Sequence, residues 1–415
     1  MIKIAVISDL HIGIDARSKD LCPEPCKIKE RKDRAKYELK SENNFREKFV
    51  QFVKKEHILA DYLILPGDLT NKARLREVEL ASDFIKQVAH ALCVPTNKIM
   101  FAPGNHDLDW TAYDPMDTTG IKWEQRYFPI GHKNFYFRTI INHGDGDIFL
   151  PPHFTVWNFA DILAIAYNSA SHDTPVPEDK QHHGLANQNH LDEIRRVLDR
   201  IGPPDDKVRL FIVHHHLIDF SSPIPESPDF SLMTNAEGLL SLLHENHFDL
   251  VIHGHKHHPR FHTHCTQTHS HIPIICSGSF SVEIDTQWAG TVDNQFHLVT
   301  IDGRAGKENL IKGKIESWAN NHCKGWIPSE ESTTGIHHVI PFGSYVMPKE
   351  LDELLEPFIK QWLMTHDHIL WRQVVDEFPN LEHLPLNSAI AAFKRMEQRL
   401  CKQSMYETRK DLILY

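Results

Sequence analysis

Five short motifs rich in aspartate, asparagine, glycine and histidine follow one another along this 415-residue chain. They are Asp9-Leu10-His11, Gly67-Asp68, Gly104-Asn105-His106-Asp107, His214-His215-His216 and Gly254-His255-Lys256-His257. Carboxylate, amide and imidazole groups are ligands that transition metals accept in proteins. Two metal ions about 3.5–4 Å apart can activate water and hold both the attacking and the leaving oxygen of a phosphoester. The motifs therefore predict a two-metal centre suited to phosphoester hydrolysis.

Each motif follows a short apolar run that predicts a buried β-strand. The runs cover residues 4–7, 62–65, 99–102, 210–213 and 250–252. In an open α/β sheet, the carboxyl ends of the strands form the crevice in which ligands bind. We therefore expect side chains that are far apart in the sequence to meet in one pocket.

In this order, the motifs resemble the pattern of the calcineurin-like metallophosphoesterases: D-x-H, G-D, G-N-H-D/E, a histidine at a strand end, and G-H-x-H. The resemblance covers roughly the first 300 residues. It implies an α/β fold in which a two-sheet β-sandwich is flanked by helices. The Ser/Thr protein phosphatase branch, with G-D-Y-V-D-R-G and R-G-N-H-E, does not match, because this chain has G-D-L-T-N at 67–71 and P-G-N-H-D at 103–107.

By the same resemblance, each metal has four ligands, and Asp68 bridges the two ions. The ligands are Asp9, His11, Asp68 and His257 for one metal, and Asp68, Asn105, His214 and His255 for the other. His215 is the alternative to His214, because Leu217 stands where relatives often have a proline. Nitrogen and oxygen ligands without thiolate favour two divalent transition metal ions, with Mn first and Fe, Zn, Ni or Co as alternatives, over Ca or Mg.

His106 is the candidate general acid, because an imidazole that titrates near neutral pH can protonate a leaving alkoxide or bind a phosphoryl oxygen. Asp107 would orient His106 or support the metal ligands. Asn71 stands where many relatives have aspartate, and it would orient His106 as a neutral group. His106 and Asp107 are therefore the catalytic candidates.

Two further groups could bind a metal, although each has a simpler interpretation. Cys22 and Cys26 would be unpaired loop thiols, because zinc-binding cysteine pairs usually come with a second pair. Four alternating histidines would form a solvated hairpin beside the active site. They are His262, His264, His269 and His271.

Composition limits the partners and the location. The net charge is −11, so no overall basic field attracts nucleic acid, although bound metal ions could invert the charge of one pocket. Seven cysteines, an odd number, suggest a reducing compartment, and we expect a cytoplasmic protein. No apolar run approaches the roughly 18 residues of a membrane helix, so we expect no membrane partner.

The expected activity is hydrolysis of phosphodiester bonds in a nucleotide or nucleic-acid substrate. The helical pattern at 184–198 and the histidine triplet resemble the cyclic-nucleotide and glycerophosphodiester branches of the family. The alternatives are a phosphomonoesterase or a nuclease of the DNA-repair branch that works with a partner ATPase. A catalytically inactive scaffold, like a retromer subunit, is disfavoured because such scaffolds usually lose metal ligands.

A turn signal at Asp302-Gly303 predicts the end of the catalytic domain, which would cover 1–303. The remainder, 304–415, would be a C-terminal extension, helical from about Pro348. Three apolar stripes recur there at helical spacing. They could pack on the catalytic domain, or one of them could bind a protein partner or a second copy of the chain.

Overall fold

The computed structural model describes residues 1–13, 45–110, 148–149, 153–173, 183–203, 206–219, 232–266, 271–282, 293–305, 309–321, 324–329, 336, 338–402, 404–407 and 411–414. Three residues of the predicted secondary metal sites, Cys22, Cys26 and His269, lie outside these ranges. None of the described helices is long and apolar enough to cross a membrane.

The described residues form two large sheets, a small third sheet and helices. The strands are β1 (Ile2–Val6), β2 (Tyr62–Leu65), β3 (Ile99–Phe101), β4 (Ile148–Phe149), β5 (Phe154–Asn158), β6 (Ile162–Tyr167), β7 (Val208–Ile212), β8 (Leu250–His253), β9 (Arg260–Cys265), β10 (His271–Cys276), β11 (Gln295–Ala305), β12 (Leu310–Asn321), β13 (Gly325–Pro328), β14 (Val339–Phe342), β15 (Ile369–Leu370), β16 (Ser404–Glu407) and β17 (Asp411–Leu414). The helices are α1 (Phe45–Lys55), α2 (Leu75–Ala91), α3 (Gln188–Ile201), α4 (Ala236–Glu245), α5 (Pro348–Trp362), α6 (Trp371–Glu377) and α7 (Leu386–Leu400).

Both large sheets are mixed, and each contains a parallel block. The first has the order β13-β12-β11-β1-β2-β3, with β14 also paired to β12, and β1, β2 and β3 run parallel. The second has the order β4-β5-β6-β7-β8-β10-β9, and β6, β7, β8 and β10 run parallel. The parallel blocks bring the predicted ligands to the carboxyl ends of neighbouring strands.

Alternating side chains of β7 show how the layers pack. Leu210 and Ile212 join the core cluster that contains residues of the first sheet. Phe211 points to the opposite face and joins a cluster that contains Leu191 of α3 and Leu239 of α4. Because successive side chains of a strand face opposite sides, β7 is covered by the other sheet on one face and by helices on the other. This is the predicted two-sheet sandwich flanked by helices.

The predicted division after Gly303 does not coincide with an end of the first sheet. Gly303 lies inside β11, at an irregularity in the pairing with β12, so the glycine that suggested a turn marks a bulge. Strands β12, β13 and β14 continue the sheet, and Trp318, Trp326 and Phe342 belong to its core. The sheet therefore extends to Phe342.

The helices that follow have a core of their own. Helix α5 begins at Pro348, the residue where the sequence predicts it. The apolar stripes of α5, α6 and α7 pack mainly on one another, with Leu355 and Phe393 in one cluster. A buried Asp352 on α5 binds Arg395 of α7 at 2.8 Å. The stripes therefore do not depend on the large sheets for burial.

We expect a chain truncated after Ser344 to unfold cooperatively and to keep its metal content, because its sheet is complete. A chain truncated after Gly303 should aggregate or unfold, because β11 would lose its partner β12. Thermal unfolding with metal analysis checks both. A folded 1–303 chain, or an unfolded 1–344 chain, would contradict this account of the sheet.

Candidate metal centre

The loops that follow β1 and β2 run side by side and present the first ligands. Asp9 N donates to Gly67 O at 3.1 Å, and His11 N donates to Asp68 O at 2.9 Å. On the second sheet, Gly254 N donates to His214 O at 3.2 Å, which ties the loop after β8 to the loop after β7. Backbone hydrogen bonds therefore set the spacing of the ligand-bearing loops in each sheet.

One cluster contains Asp9, His11, Asp68 and His257, whose potential donor atoms lie within 4.8 Å of one another. His11 Nε2 lies 3.5 Å from Asp68 Oδ2 and 3.2 Å from His257 Nε2. His257 Nε2 lies 3.3 Å from Asp9 Oδ1. These are the four residues predicted for the first metal.

A second cluster contains Asp68, His214 and His255, with donor atoms within the same 4.8 Å limit. Asn105 adds its amide oxygen, 3.2 Å from His214 Nε2. Asp68 Oδ2 lies 3.3 Å from His214 Nε2 while also facing His11 of the first cluster. Asp68 is therefore placed to bridge two ions, as the sequence predicts.

The protonation pattern of His214 fits a metal ligand. His214 Nδ1 donates to Pro66 O at 2.8 Å, so the neutral ring carries its lone pair on Nε2. Nε2 faces the oxygen acceptors of Asp68 and Asn105, so in the metal-free protein a proton on Nε2 can be donated to them. A bound cation would take the place of that proton. Burial lowers the pKa of His214, but the carboxylates of Asp68 and Asp9 and the hydrogen bonds to Asp68 and Pro66 together raise it to about 9, so metal binding would displace a proton.

His215, the alternative ligand, faces different partners. Its Nδ1 bonds with Ser169 Oγ at 2.7 Å, and its Nε2 lies 3.6 Å from Asp173 Oδ2. The structure thus brings His214 into the metal cluster and leaves His215 outside it. Leu217, which replaces the usual proline, does not prevent this arrangement.

Several candidate metal ligands have a strained backbone, a feature that the sequence did not indicate. Five of them have positive φ angles: Asp9 (52°), His11 (45°), Asp68 (53°), His255 (82°) and His257 (56°). Such conformations cost on the order of 1–3 kcal/mol each for residues other than glycine, and they persist where the surroundings impose them. Strain of this kind is typical of functional sites.

Three motif glycines leave space that the ligands use. A Cβ atom on Gly67 would lie 2.5 Å from His214 Nδ1, and one on Gly254 would lie 2.5 Å from Asp9 Oδ2. A Cβ atom on Gly104 would overlap the Asp68 carboxylate. The glycines are therefore required for close packing against the ligands, not only for turn formation.

His106 lies beside both clusters. Its backbone N donates to Asp68 Oδ1 at 2.8 Å, and its ring meets that of His11 edge-on, with centroids 4.6 Å apart. His106 Nδ1 donates to Asn71 O at 3.0 Å, which leaves Nε2 as the nitrogen for proton exchange. The backbone carbonyl of Asn71 thus fixes the orientation of the His106 ring.

Asp107 is buried beneath the loops after β2 and β3. Its carboxylate accepts hydrogen bonds from Gly104 N, Thr70 N and Thr70 Oγ1, each 3.0 Å long. Burial and the neighbouring Asp68 charge raise the pKa of Asp107 to about 7. The loop that it holds carries Asn105 and His106, so its contacts correspond to the supporting role that the sequence predicts.

The predicted histidine hairpin has other partners. His264 Nδ1 lies 2.8 Å from Nε2 of His244 on α4, whereas the His271 ring packs on Tyr345, with centroids 4.0 Å apart. Among the described residues, His262, His264 and His271 are in no group of three metal-binding side chains whose donor atoms lie within 4.8 Å of one another.

We expect His214→Ala to lose one metal ion per chain relative to the wild type, because His214 lies in the second cluster. His215→Ala is the matched control and should keep the wild-type metal content, since its ring bonds outside the cluster. Elemental analysis of both purified proteins gives the comparison. Loss from His215→Ala with full retention by His214→Ala would reverse the assignment.

Comparisons with known proteins identify one family and several structures that resemble this chain. The family model for calcineurin-like phosphoesterases matches residues 2–259. No curated protein matches the chain. Similar solved structures include purple acid phosphatase PPD1 from yellow lupin, with 14% identity and a TM-score of 0.43. The match covers 76% of this chain and 51% of the lupin protein, so this chain spans about half of that protein.

Two further similar structures are the phosphopantetheinyl hydrolase of Mycobacterium tuberculosis and GAP50 of Plasmodium. The first has 14% identity, a TM-score of 0.36 and coverage of 69% of this chain and 91% of that one. The second has 15% identity, a TM-score of 0.38 and coverage of 76% of this chain and 84% of GAP50. Similarity at this level does not indicate a substrate. The family match covers most of the chain and contains all five motifs, and the chain therefore belongs to the calcineurin-like phosphoesterase family.

Proposed function

We propose that this protein hydrolyses phosphodiester bonds in a nucleotide or nucleic-acid substrate. The observation that carries the proposal is the position of Asp68, which faces a ligand cluster on each side and binds the backbone of His106. When bound, two divalent cations neutralise the charge of the phosphoryl oxygens and activate a water molecule. The side chains around them supply ligand geometry and proton transfer.

His106 is the proposed acid. Asn71 O accepts the hydrogen from Nδ1, so Nε2 of the protonated ring can deliver a proton to the leaving oxygen. Contact with His11 holds the ring at the edge of the first cluster. Asp107 acts through the loop backbone, where it fixes the direction from which His106 projects.

The preference for diesters is supported by the resemblance at 184–198 and at the histidine triplet. In the structure these two segments touch. Gly184, with φ of +65°, passes so close to the His215 ring that a Cβ atom would lie 2.5 Å from it. Gly184 N also donates to Asp173 Oδ1 at 3.0 Å. The segment that leads into α3 is thus held against the triplet at Gly184, which supports treating the two segments as one substrate-side feature.

We further propose manganese as the metal and the cytoplasm as the location. The dinuclear donor set contains carboxylate, amide and imidazole groups, which suit Mn, with Fe, Zn, Ni or Co as alternatives. Free thiols at Cys93, Cys265, Cys276 and Cys401 support a reducing compartment.

A nuclease that acts with a protein partner is the second candidate. The helical unit that begins at Pro348 supports it, because this unit has a core separate from the sheets and so offers a surface apart from the metal centre. In that case the C-terminal helices would bind the partner or a second copy of the chain.

EDTA-stripped protein should be inactive and should recover with Mn²⁺. Asp68→Asn should lose the most activity of the single ligand variants, because both ions would share this carboxylate.

The diester bis(p-nitrophenyl) phosphate should be cleaved faster than the monoester p-nitrophenyl phosphate. A panel of cyclic nucleotides, dinucleotides, DNA and RNA then identifies the natural class. Full activity without metal, or a clear preference for the monoester, would refute the proposal.

His106→Ala should keep its metals and lose turnover by about 10²–10⁴-fold, because a positioned acid contributes on that scale. The loss should shrink for nitrophenolate, a leaving group that needs no proton. Turnover of good and poor leaving groups, measured with metal content, tests this. An equal loss for both would indicate binding instead of acid catalysis.

A further inference from the structure

A third group of metal-binding side chains lies next to the dinuclear centre and shares no residue with it. It consists of His216, His253 and Cys276, all buried. His216 follows β7, His253 ends β8 and Cys276 ends β10, and these three strands are adjacent and parallel. His253 and Cys276 are direct register partners, so they face the same side of the sheet. The fold itself therefore brings the three together.

The distances suit a single ion. The three donor atoms lie within 4.8 Å of one another, and Cys276 Sγ lies 3.9 Å from His216 Nε2. The rings of His216 and His253 meet edge-on, with centroids 4.4 Å apart. Tetrahedral zinc with ordinary bond lengths would place sulfur and nitrogen ligands roughly 3.6 Å apart. The Cys276 Sγ–His216 Nε2 pair would need to move together by about 0.3 Å to reach this distance.

We propose that His216, His253 and Cys276 bind a third, mononuclear metal ion of the zinc type. One sulfur and two imidazoles form a softer donor set than the carboxylate, amide and imidazole set of the dinuclear centre. The two sites therefore differ in the metals that they prefer.

Without metal, the thiol has a different partner. Cys276 Sγ donates to His258 O at 3.2 Å, and burial raises the pKa of Cys276 to about 12. The thiol is therefore protonated in the metal-free protein. A metal replaces that proton, because a coordinating thiol is deprotonated by the charge of the ion.

The position of the site indicates its role. His216 lies two residues after His214, and His253 lies two residues before His255, so each is close in sequence to a candidate ligand of the dinuclear centre. The rings of His216 and His255 have centroids 6.2 Å apart. A metal here would join the ends of three strands and fix the loops that present His214 and His255.

Cobalt provides a direct test, because thiolate bound to Co²⁺ gives a strong near-ultraviolet charge-transfer absorption. The full-length protein, loaded with Co²⁺ under reducing and anaerobic conditions, should show this band and bind one ion more than the dinuclear centre holds. Cys276→Ser should lose the band and one cobalt. Cys265→Ser, at an exposed cysteine of the neighbouring strand β9, is the matched control and should keep both.

Asp68→Asn separates this site from the dinuclear centre, because it should lose dinuclear cobalt and keep the thiolate band. Absence of the band from the wild-type protein would overturn the proposal without any variant. A band that survives in Cys276→Ser would assign the thiolate to another cysteine and would also overturn it. Loss of the band from Asp68→Asn would tie the thiolate signal to the dinuclear centre and would overturn the proposal of a separate site.

Discussion

The carboxylate of Asp68 is buried, and an ionised carboxylate in such a place is costly unless opposite charge compensates it. Burial raises the pKa of Asp68, but His214, His106 and His11 outweigh that effect and hold the pKa well below its usual range. The charge is thus retained where it can attract cations from both sides. The two sheets, the strained loops and the motif glycines all serve to place partners around this one group.

Several unusual local features surround this charge. Asp9, Asp68 and His255 have positive φ angles shortly after the ends of β1, β2 and β8. Because Gly104 has no side chain, the Asp68 carboxylate can approach the loop after β3. Asp107 holds that loop by its backbone amides. The strained residues reduce the stability of the folded protein locally, and the surrounding parallel strands hold them in place.

The resemblance carried by the five motifs was sufficient to predict the family and the sandwich. The seven candidate ligands meet in the structure because each lies within a few residues of the end of a strand. Several details could not be predicted from residue types. The direction of His215 depends on Ser169, a residue outside every motif. The partner of His106 is a backbone carbonyl, which any residue at position 71 would supply. The extent of the first sheet beyond Gly303 depends on long-range pairing, since a bulge and a turn look alike in sequence.

Electron paramagnetic resonance of the manganese-loaded protein tests most directly whether Asp68 bridges two ions. Two Mn²⁺ ions that share a carboxylate at the separation of a dinuclear site are magnetically coupled. The account predicts the spectrum of a coupled pair in the wild-type protein. A spectrum of only isolated, uncoupled Mn²⁺ in fully loaded wild-type protein would contradict it.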